Sequence, residues 1–203
     1  MTYVVFDLGE VLSVAPPHLP ELAATAVAAD PDAFATAYWR HRLPYDAGSS
    51  TVSYWTQVLR EVGVAATPEV VRSLDALDMA AWTVLADGAE DLLRDVHASP
   101  ASLGLLSNAP LPLAHAVRDL DWSDLFDELV FSAELGLTKP ARAIYDAATA
   151  RFGGDPAVIV FFDDRPANVI GARAAGWTAH RWAGVEDARS VLRGHGVLTG
   201  GAA

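Results

Sequence analysis

The chain has 203 residues, with 14 basic and 26 acidic side chains and a formal net charge of −12, which argues against nucleic acid as a partner. A 52% hydrophobic and 20% charged composition supplies a core and excludes a disordered chain, and the length suits one domain with room for an insert. There is no cysteine, so disulfides, thiolate metal sites and cysteine nucleophiles are ruled out, and no apolar run reaches the roughly 18 residues a membrane span needs.

The N-terminus has no basic leader and enters directly the strand-like run Tyr3-Val4-Val5-Phe6, ending at Asp7. No signal peptide and no membrane partner are expected, and the expected location is cytoplasmic. The stretch from about Pro16 to Thr83 then shows helical patterns and no strand. Asp30-Pro31 leads into Phe34, Ala37, Tyr38 and His41; Ser50 to Val62 carries Tyr54, Trp55, Val58 and Leu59; Thr67-Pro68-Glu69 starts a run through Val71, Leu74 and Leu77. Residues 16–83 are therefore expected to form a small helical cap, with 1–15 and 84–203 as the core domain. Trp39, Trp55 and Trp82 are expected to fill the cap's interior. Arg40-His41-Arg42 is the densest basic cluster and precedes a Pro44–Gly48 loop. It reads equally as a solvated helix end or as a group holding a second part of a substrate.

Beyond the insert the pattern alternates. A helix over 88–97 precedes the run Leu103 to Leu106, which ends at Ser107-Asn108, and a weaker strand covers Glu128 to Phe131. A helix over 141–152 leads to Val158–Phe162, which ends at Asp163-Asp164. Pro166 to Ala175 is helical and stops at Gly176; a strand over Thr178–Trp182, a helix over Val185–Arg193 and a frayed Gly-Gly-Ala-Ala tail follow. Short apolar runs without alternation fit strands buried on both faces, so the fold class is α/β with a parallel sheet.

Ligands of such sheets bind at the carboxyl ends of the strands, where Asp7, Ser107, Asn108, Asp163 and Asp164 should converge. Singly each residue reads as a turn former or helix cap. Three acidic groups in one crevice, however, call for a hard divalent cation such as Mg²⁺. Lys139 is the only lysine beside thirteen arginines, a compact point charge suited to phosphate or carboxylate. His180 and His195 show no partner pattern.

Four motifs in order, FDLGEVL at Asp7, LLSN at Ser107, KPxxxxY from Lys139 to Tyr145 and FFDDxxxNVxxAxxxGW from Phe161 to Trp177, resemble the haloacid dehalogenase superfamily. The resemblance is to the branch with a helical cap after the first strand (subfamily I, C1 cap). It covers nearly the whole chain and implies a Rossmann-like core. It also implies Asp7 as the nucleophile forming an aspartyl-phosphate, with Mg²⁺ and Lys139 offsetting the repulsion between carboxylate and phosphate. Ser107 and the Asn108 amide would hold the phosphoryl oxygens, while Asp7, the Gly9 carbonyl and Asp164, with Asp163 as a further candidate, would bind the metal.

One departure stands out. Most family phosphatases carry a second Asp two residues after the first, where this chain has Gly9. The acid–base is thus unassigned, with Glu10 as the candidate. The implied activity is a Mg²⁺-dependent phosphatase on a small phosphate ester with a good leaving group, such as a sugar phosphate, selected by Arg40 or Arg42 from the cap. Two alternatives are a metal-independent 2-haloacid dehalogenase and a non-catalytic relative that binds a phosphorylated ligand. The Asp163-Asp164 pair argues against the first; the retained Asp7, Lys139 and Asp164 argue against the second.

Overall fold

A computed structural model describes residues 1–14 and 19–199. The expected start of the cap at residues 16–18 and the expected frayed tail at 200–203 lie outside the described residues. Five strands, β1 (Tyr3–Phe6), β2 (Ser102–Ser107), β3 (Glu128–Phe131), β4 (Ile159–Asp163) and β5 (Thr178–Arg181), form one parallel sheet in the order β3-β2-β1-β4-β5. The apolar runs lack alternation because both faces are covered. Val4, Phe6, Leu103, Leu105, Val160 and Phe162 enter one core, while Val5, Leu106, Ile159 and Phe161 enter the other.

Between β1 and β2 stand α1 (Leu19–Ala26), α2 (Pro31–Arg40), α3 (Arg42–Asp46), α4 (Thr51–Glu61) and α5 (Pro68–Trp82). Asp30, Ser50 and Thr67 cap α2, α4 and α5 through their side-chain oxygens, as their positions before the helical runs suggest. The helices enclose a hydrophobic core of their own that includes Phe34, Tyr38, Trp55, Val58, Leu59 and Leu74. Each large side chain buried there contributes about 1.5–3 kcal/mol. Three expectations need correction, the first being Trp82, which packs into the sheet core beside Leu8, Leu12 and Leu113 and not into the insert's own core. Arg42 to Asp46 is a turn of helix where a loop is expected, because Arg42 and Asp46 pair across it. Trp39 is 50% exposed, since α2 turns Phe34, Ala37 and Tyr38 inward and leaves position 39 outside that face.

The helices α6 (Ala89–His97), α7 (Leu111–Arg118), α8 (Ser132–Leu135), α9 (Arg142–Arg151), α10 (Pro166–Ala174) and α11 (Val185–Gly194) complete the chain. Residues of α6, α7 and α11 pack into the first core, and residues of α9 and α10 into the second. Sequence patterning does not single out α7, which follows Pro110. His180 and His195, which show no partner pattern in the sequence, face each other with Nε2 atoms 3.1 Å apart. The chain leaves β1 toward β2 and leaves β4 toward β5, so the crevice between adjacent β1 and β4 is the topological switch point. No helix among the described residues is long and apolar enough to cross a membrane.

Candidate active site

Both carboxylates at the switch point come from strand ends. Asp7 follows β1, and its N–H donates to the Phe162 carbonyl at 2.9 Å, extending the ladder by one residue. Asp163 is the last residue of β4. Lys139 approaches from the loop before α9, and its ammonium has three protons to place. Nζ lies 2.8 Å from Asp7 Oδ1 and donates to Asp163 Oδ2 at 2.7 Å and to the Leu106 carbonyl at 2.8 Å. Two hydrogen bonds and one ion pair thus surround the ammonium, and the side chain is buried.

The groups behind Lys139 fix its position. The Lys139 N–H donates to Asn108 Oδ1 at 2.8 Å, and Asn108 Nδ2 returns a bond to the Lys139 carbonyl at 2.9 Å. Asn108, expected only to offer its backbone amide to phosphate, thus also braces the lysine. Gly171 of α10 allows the Lys139-Pro140 segment to come close, because a Cβ there would stand 2.8 Å from the Pro140 carbonyl oxygen. Asp163 is saturated: Arg165 N–H and Asn168 Nδ2 donate to Oδ1 at 2.8 and 3.0 Å, and Asn168 joins Lys139 on Oδ2. Tyr145 in turn holds the Asn168 carbonyl at 2.8 Å. The motif positions Tyr145 and Asn168 therefore carry a supporting role that spacing alone did not assign.

Charge in the crevice is unbalanced. Burial pushes Asp7 up to about 7 despite the Lys139 ammonium, and the Asp163 charge adds to the push. Burial opposes ionisation of Asp163 as well, yet Lys139, the Arg165 amide and Asn168 together hold it below the ordinary carboxylate range. Burial also opposes the charge on Lys139, but Asp7 and Asp163 hold its pKa above the usual value. Asp164 is raised by partial burial and by Asp163.

One oxygen each from Asp7, Asp163 and Asp164 lie within 4.8 Å of one another. Three carboxylates around one ammonium leave a local negative excess, which fits a divalent cation. Asp7 Oδ2 and the Asp164 carboxylate, free of the hydrogen bonds that occupy Asp163, are the donors best suited to it among the described residues.

Asp7, Ser107, Asn108, Lys139 and Asp164 line one cavity of about 520 Å³, as do Gly9 and Glu10. Asp163 lies behind this wall, buried at Lys139. At Gly9 a Cβ would stand 3.3 Å from the Trp82 ring, so the indole occupies the space into which a side chain would grow. Glu10 is exposed, in the left-handed region at φ 60°, and partial burial and Asp164 raise its pKa.

The two arginines expected from the insert part company. Arg40 is exposed, pairs with Glu61 at 2.8 Å and lies outside the cavity lining. Arg42 is buried and lines the cavity, with Nε 2.9 Å from Asp46 Oδ1 and Nη1 3.0 Å from Asp78 Oδ2. Tyr38 and Trp82 complete the cluster, each donating to Asp78 Oδ1, at 2.6 and 3.1 Å. Asp46 and Trp82 also line the cavity, and nothing in the sequence marks them as site residues; no local spacing marks a contact between Arg42 and a residue 36 positions away.

The family model described as "Hydrolase: haloacid dehalogenase-like hydrolase" matches residues 1–176. The chain belongs to the haloacid dehalogenase-like hydrolases.

Among relatives of this hydrolase, the sesquiterpene phosphatase astK of Aspergillus oryzae is 33% identical over 86 residues, 42% of this chain and 44% of that protein. The match thus spans less than half the fungal protein's length. A validoxylamine A 7'-phosphate phosphatase of Streptomyces hygroscopicus is 27% identical over 157 residues, 71% of this chain and 73% of that protein. The crystal structure of the HAD family enzyme BT-2542 of Bacteroides thetaiotaomicron superposes with a TM-score of 0.77 at 20% identity, covering 95% of this hydrolase and 98% of that chain. At that identity the likeness shows the shared fold. The same enzyme has been crystallised with magnesium and inorganic phosphate.

Proposed function

We propose that this hydrolase is a Mg²⁺-dependent phosphatase of a small organic phosphate, with a sugar phosphate as the substrate class, and that residues 16–83 act as its cap. The observation that carries the reading is the set of three carboxylates within 4.8 Å around a single buried ammonium at the switch point. A carbon-directed dehalogenation has no use for that concentration of negative charge, whereas phosphoryl transfer aided by a divalent cation does. Two relatives named as phosphatases support it.

In this reading Asp7 attacks phosphorus and forms an aspartyl-phosphate. Lys139, 2.8 Å away, favours the ionised nucleophile and offsets the approach of an anion. The Ser107 hydroxyl and the Asn108 N–H hold the phosphoryl oxygens. Asp7, the Gly9 carbonyl and Asp164 hold the metal, and Asp163 anchors Lys139 beside it. When bound, Mg²⁺ supplies positive charge that orients the phosphate and spreads its developing negative charge. Trp39, Leu43 and Trp82 offer an apolar wall to the organic part of the ester. Glu10 stands at the mouth, and Arg42 acts on specificity by shaping the wall.

The test is hydrolysis of p-nitrophenyl phosphate by wild type and Asp7→Asn, each with Mg²⁺ and with EDTA. Turnover that requires both Asp7 and the metal is expected. Turnover in EDTA equal to that in Mg²⁺, or retained by Asp7→Asn, would overturn the reading.

A further inference from the structure

The alcohol of an alkyl phosphate is a poor leaving group unless its oxygen receives a proton, and position 9, two residues after the nucleophile, has no side chain to give one. Trp82 stands against it and is held there by Asp78 and Tyr38 at 3.1 and 3.2 Å. The proton must come from another part of the cavity wall. Apart from Asp7 and Asp164, the carboxyl side chains on that wall are Glu10 and Asp46. Glu10 is exposed, on a turn next to the metal ligands.

Asp46 is buried instead. It is 8% exposed and lines the cavity at the end of α3. Arg42 Nε donates to its Oδ1 at 2.9 Å, and no hydrogen bond engages Oδ2 among the described residues. Its backbone is tied to the core. Ser132 Oγ donates to the Asp46 carbonyl at 2.5 Å and accepts from the Ala109 N–H at 2.9 Å. Ala109 follows Ser107 and Asn108 directly, so the carboxyl is mounted on the same loop that carries the phosphate-binding groups. The mount is tight, since a Cβ at Gly48 would stand 3.1 Å from the Ala133 carbonyl oxygen.

From this geometry we infer that Asp46, reaching in from the helical insert, is the catalytic acid–base that replaces the missing side chain at position 9. The inference rests on the phosphatase reading above. An oxygen of Asp7 bonds to phosphorus while the phosphorus–ester oxygen bond breaks; the electron pair goes to the ester oxygen, which takes the Asp46 proton and departs as the alcohol. Water then bonds to phosphorus and gives a proton to the Asp46 carboxylate. The phosphorus–Asp7 bond breaks with its electron pair returning to Asp7, and inorganic phosphate leaves.

The environment suits a group that must both give and take a proton. Burial pushes Asp46 up to about 6 against the pull of Arg42 on its own helix; Asp78 of α5 pushes further, and Arg165 of the core pulls down. Asp7, Lys139 and Asp164 line the same cavity.

The test compares wild type and Asp46→Asn, in Mg²⁺, on n-hexyl phosphate, whose alcohol needs a proton to leave, and on p-nitrophenyl phosphate, whose phenolate does not. The parameter is kcat/KM, which reports the steps through aspartyl-phosphate formation. The expected loss is about 100-fold or more on the alkyl ester and under about 10-fold on the aryl ester. A merely structural role would lower both equally. In wild type, the alkyl ester should show an alkaline limb beginning near pH 6 that the aryl ester lacks, a readout that stands even if the variant fails to fold.

Equal losses on the two esters, no loss on either, identical wild-type pH profiles, or a leaving-group-dependent loss in Glu10→Gln instead would each overturn the assignment while leaving the phosphatase reading intact. A wild type inactive on both esters would overturn that reading and this assignment with it.

Discussion

Lys139 in the core and Arg42 in the helical insert are both buried cations between two carboxylates. Lys139 lies 2.8 Å from Asp7 and 2.7 Å from Asp163; Arg42 lies 2.9 Å from Asp46 and 3.0 Å from Asp78. In each trio one carboxylate is saturated by neutral donors. Asp163 takes Asn168 and the Arg165 amide, and Asp78 takes Tyr38 and Trp82. The other carboxylate, Asp7 or Asp46, faces the shared cavity, and burial raises its pKa, to about 7 and about 6.

The difference is a third acid. Asp164 joins the core trio and leaves it with an excess of negative charge, whereas the insert holds its charges in closer balance. A saturated anchor fixes the cation, the cation fixes the open carboxyl, and the surplus charge marks which open carboxyl is proposed to work beside a metal.

The largest effect should come from the open carboxyl of the core. Asp7→Asn is expected to lower phosphatase turnover by about 10³-fold or more, measured on p-nitrophenyl phosphate. Removing either cation strands two buried carboxylates. Lys139→Met and Arg42→Met should each cost about 3–5 kcal/mol in urea unfolding at pH 8 without metal. Mg²⁺ should recover part of the loss in Lys139→Met and none in Arg42→Met. Equal recovery in both would dissolve the distinction between the trios.

A smaller effect follows from the raised pKa of Asp7. A carboxyl that titrates higher in the folded state than at its ordinary value near 3.8 keeps a proton that the unfolded chain has lost. Its ionisation therefore costs stability, beginning above pH 3.8 and fully expressed above about pH 7. Metal-free Asp7→Asn should match wild type in thermal unfolding below pH 3.8, exceed it modestly at pH 5 and exceed it most at pH 8. Smallest of all, Arg40→Ala removes an exposed pair with Glu61 outside the cavity, and neither turnover nor unfolding midpoint should move measurably.

The core trio was far more legible in the sequence than its counterpart in the insert, for a physical reason. Asp7, Ser107 and Asp163 sit where continuous apolar runs stop, and a parallel sheet places such ends together whatever the loops do. Lys139 stood out as the only lysine. The insert's trio depends on Arg42 meeting Asp78 across 36 residues of packed helices, and helical periodicity records only which face is apolar. Arg42 reads in sequence as one of three adjacent basic residues, and nothing local separates it from solvent-facing Arg40. Trp39 and Trp82 read alike as core aromatics, yet one is half exposed and the other lies against Gly9. That contact is also why Gly9 could be seen as a departure but its consequence could not.

A bond between Asp7 and phosphorus can be trapped chemically. Wild-type enzyme mixed with Mg²⁺ and p-nitrophenyl phosphate would be acid-quenched during turnover, reduced with borohydride and mapped by peptide mass spectrometry. Borohydride converts an aspartyl-phosphate to homoserine, and that conversion is expected at position 7 alone and absent without substrate. Homoserine at position 163 or 164, or an unmodified Asp7 in a sample quenched during active turnover, would contradict that expectation.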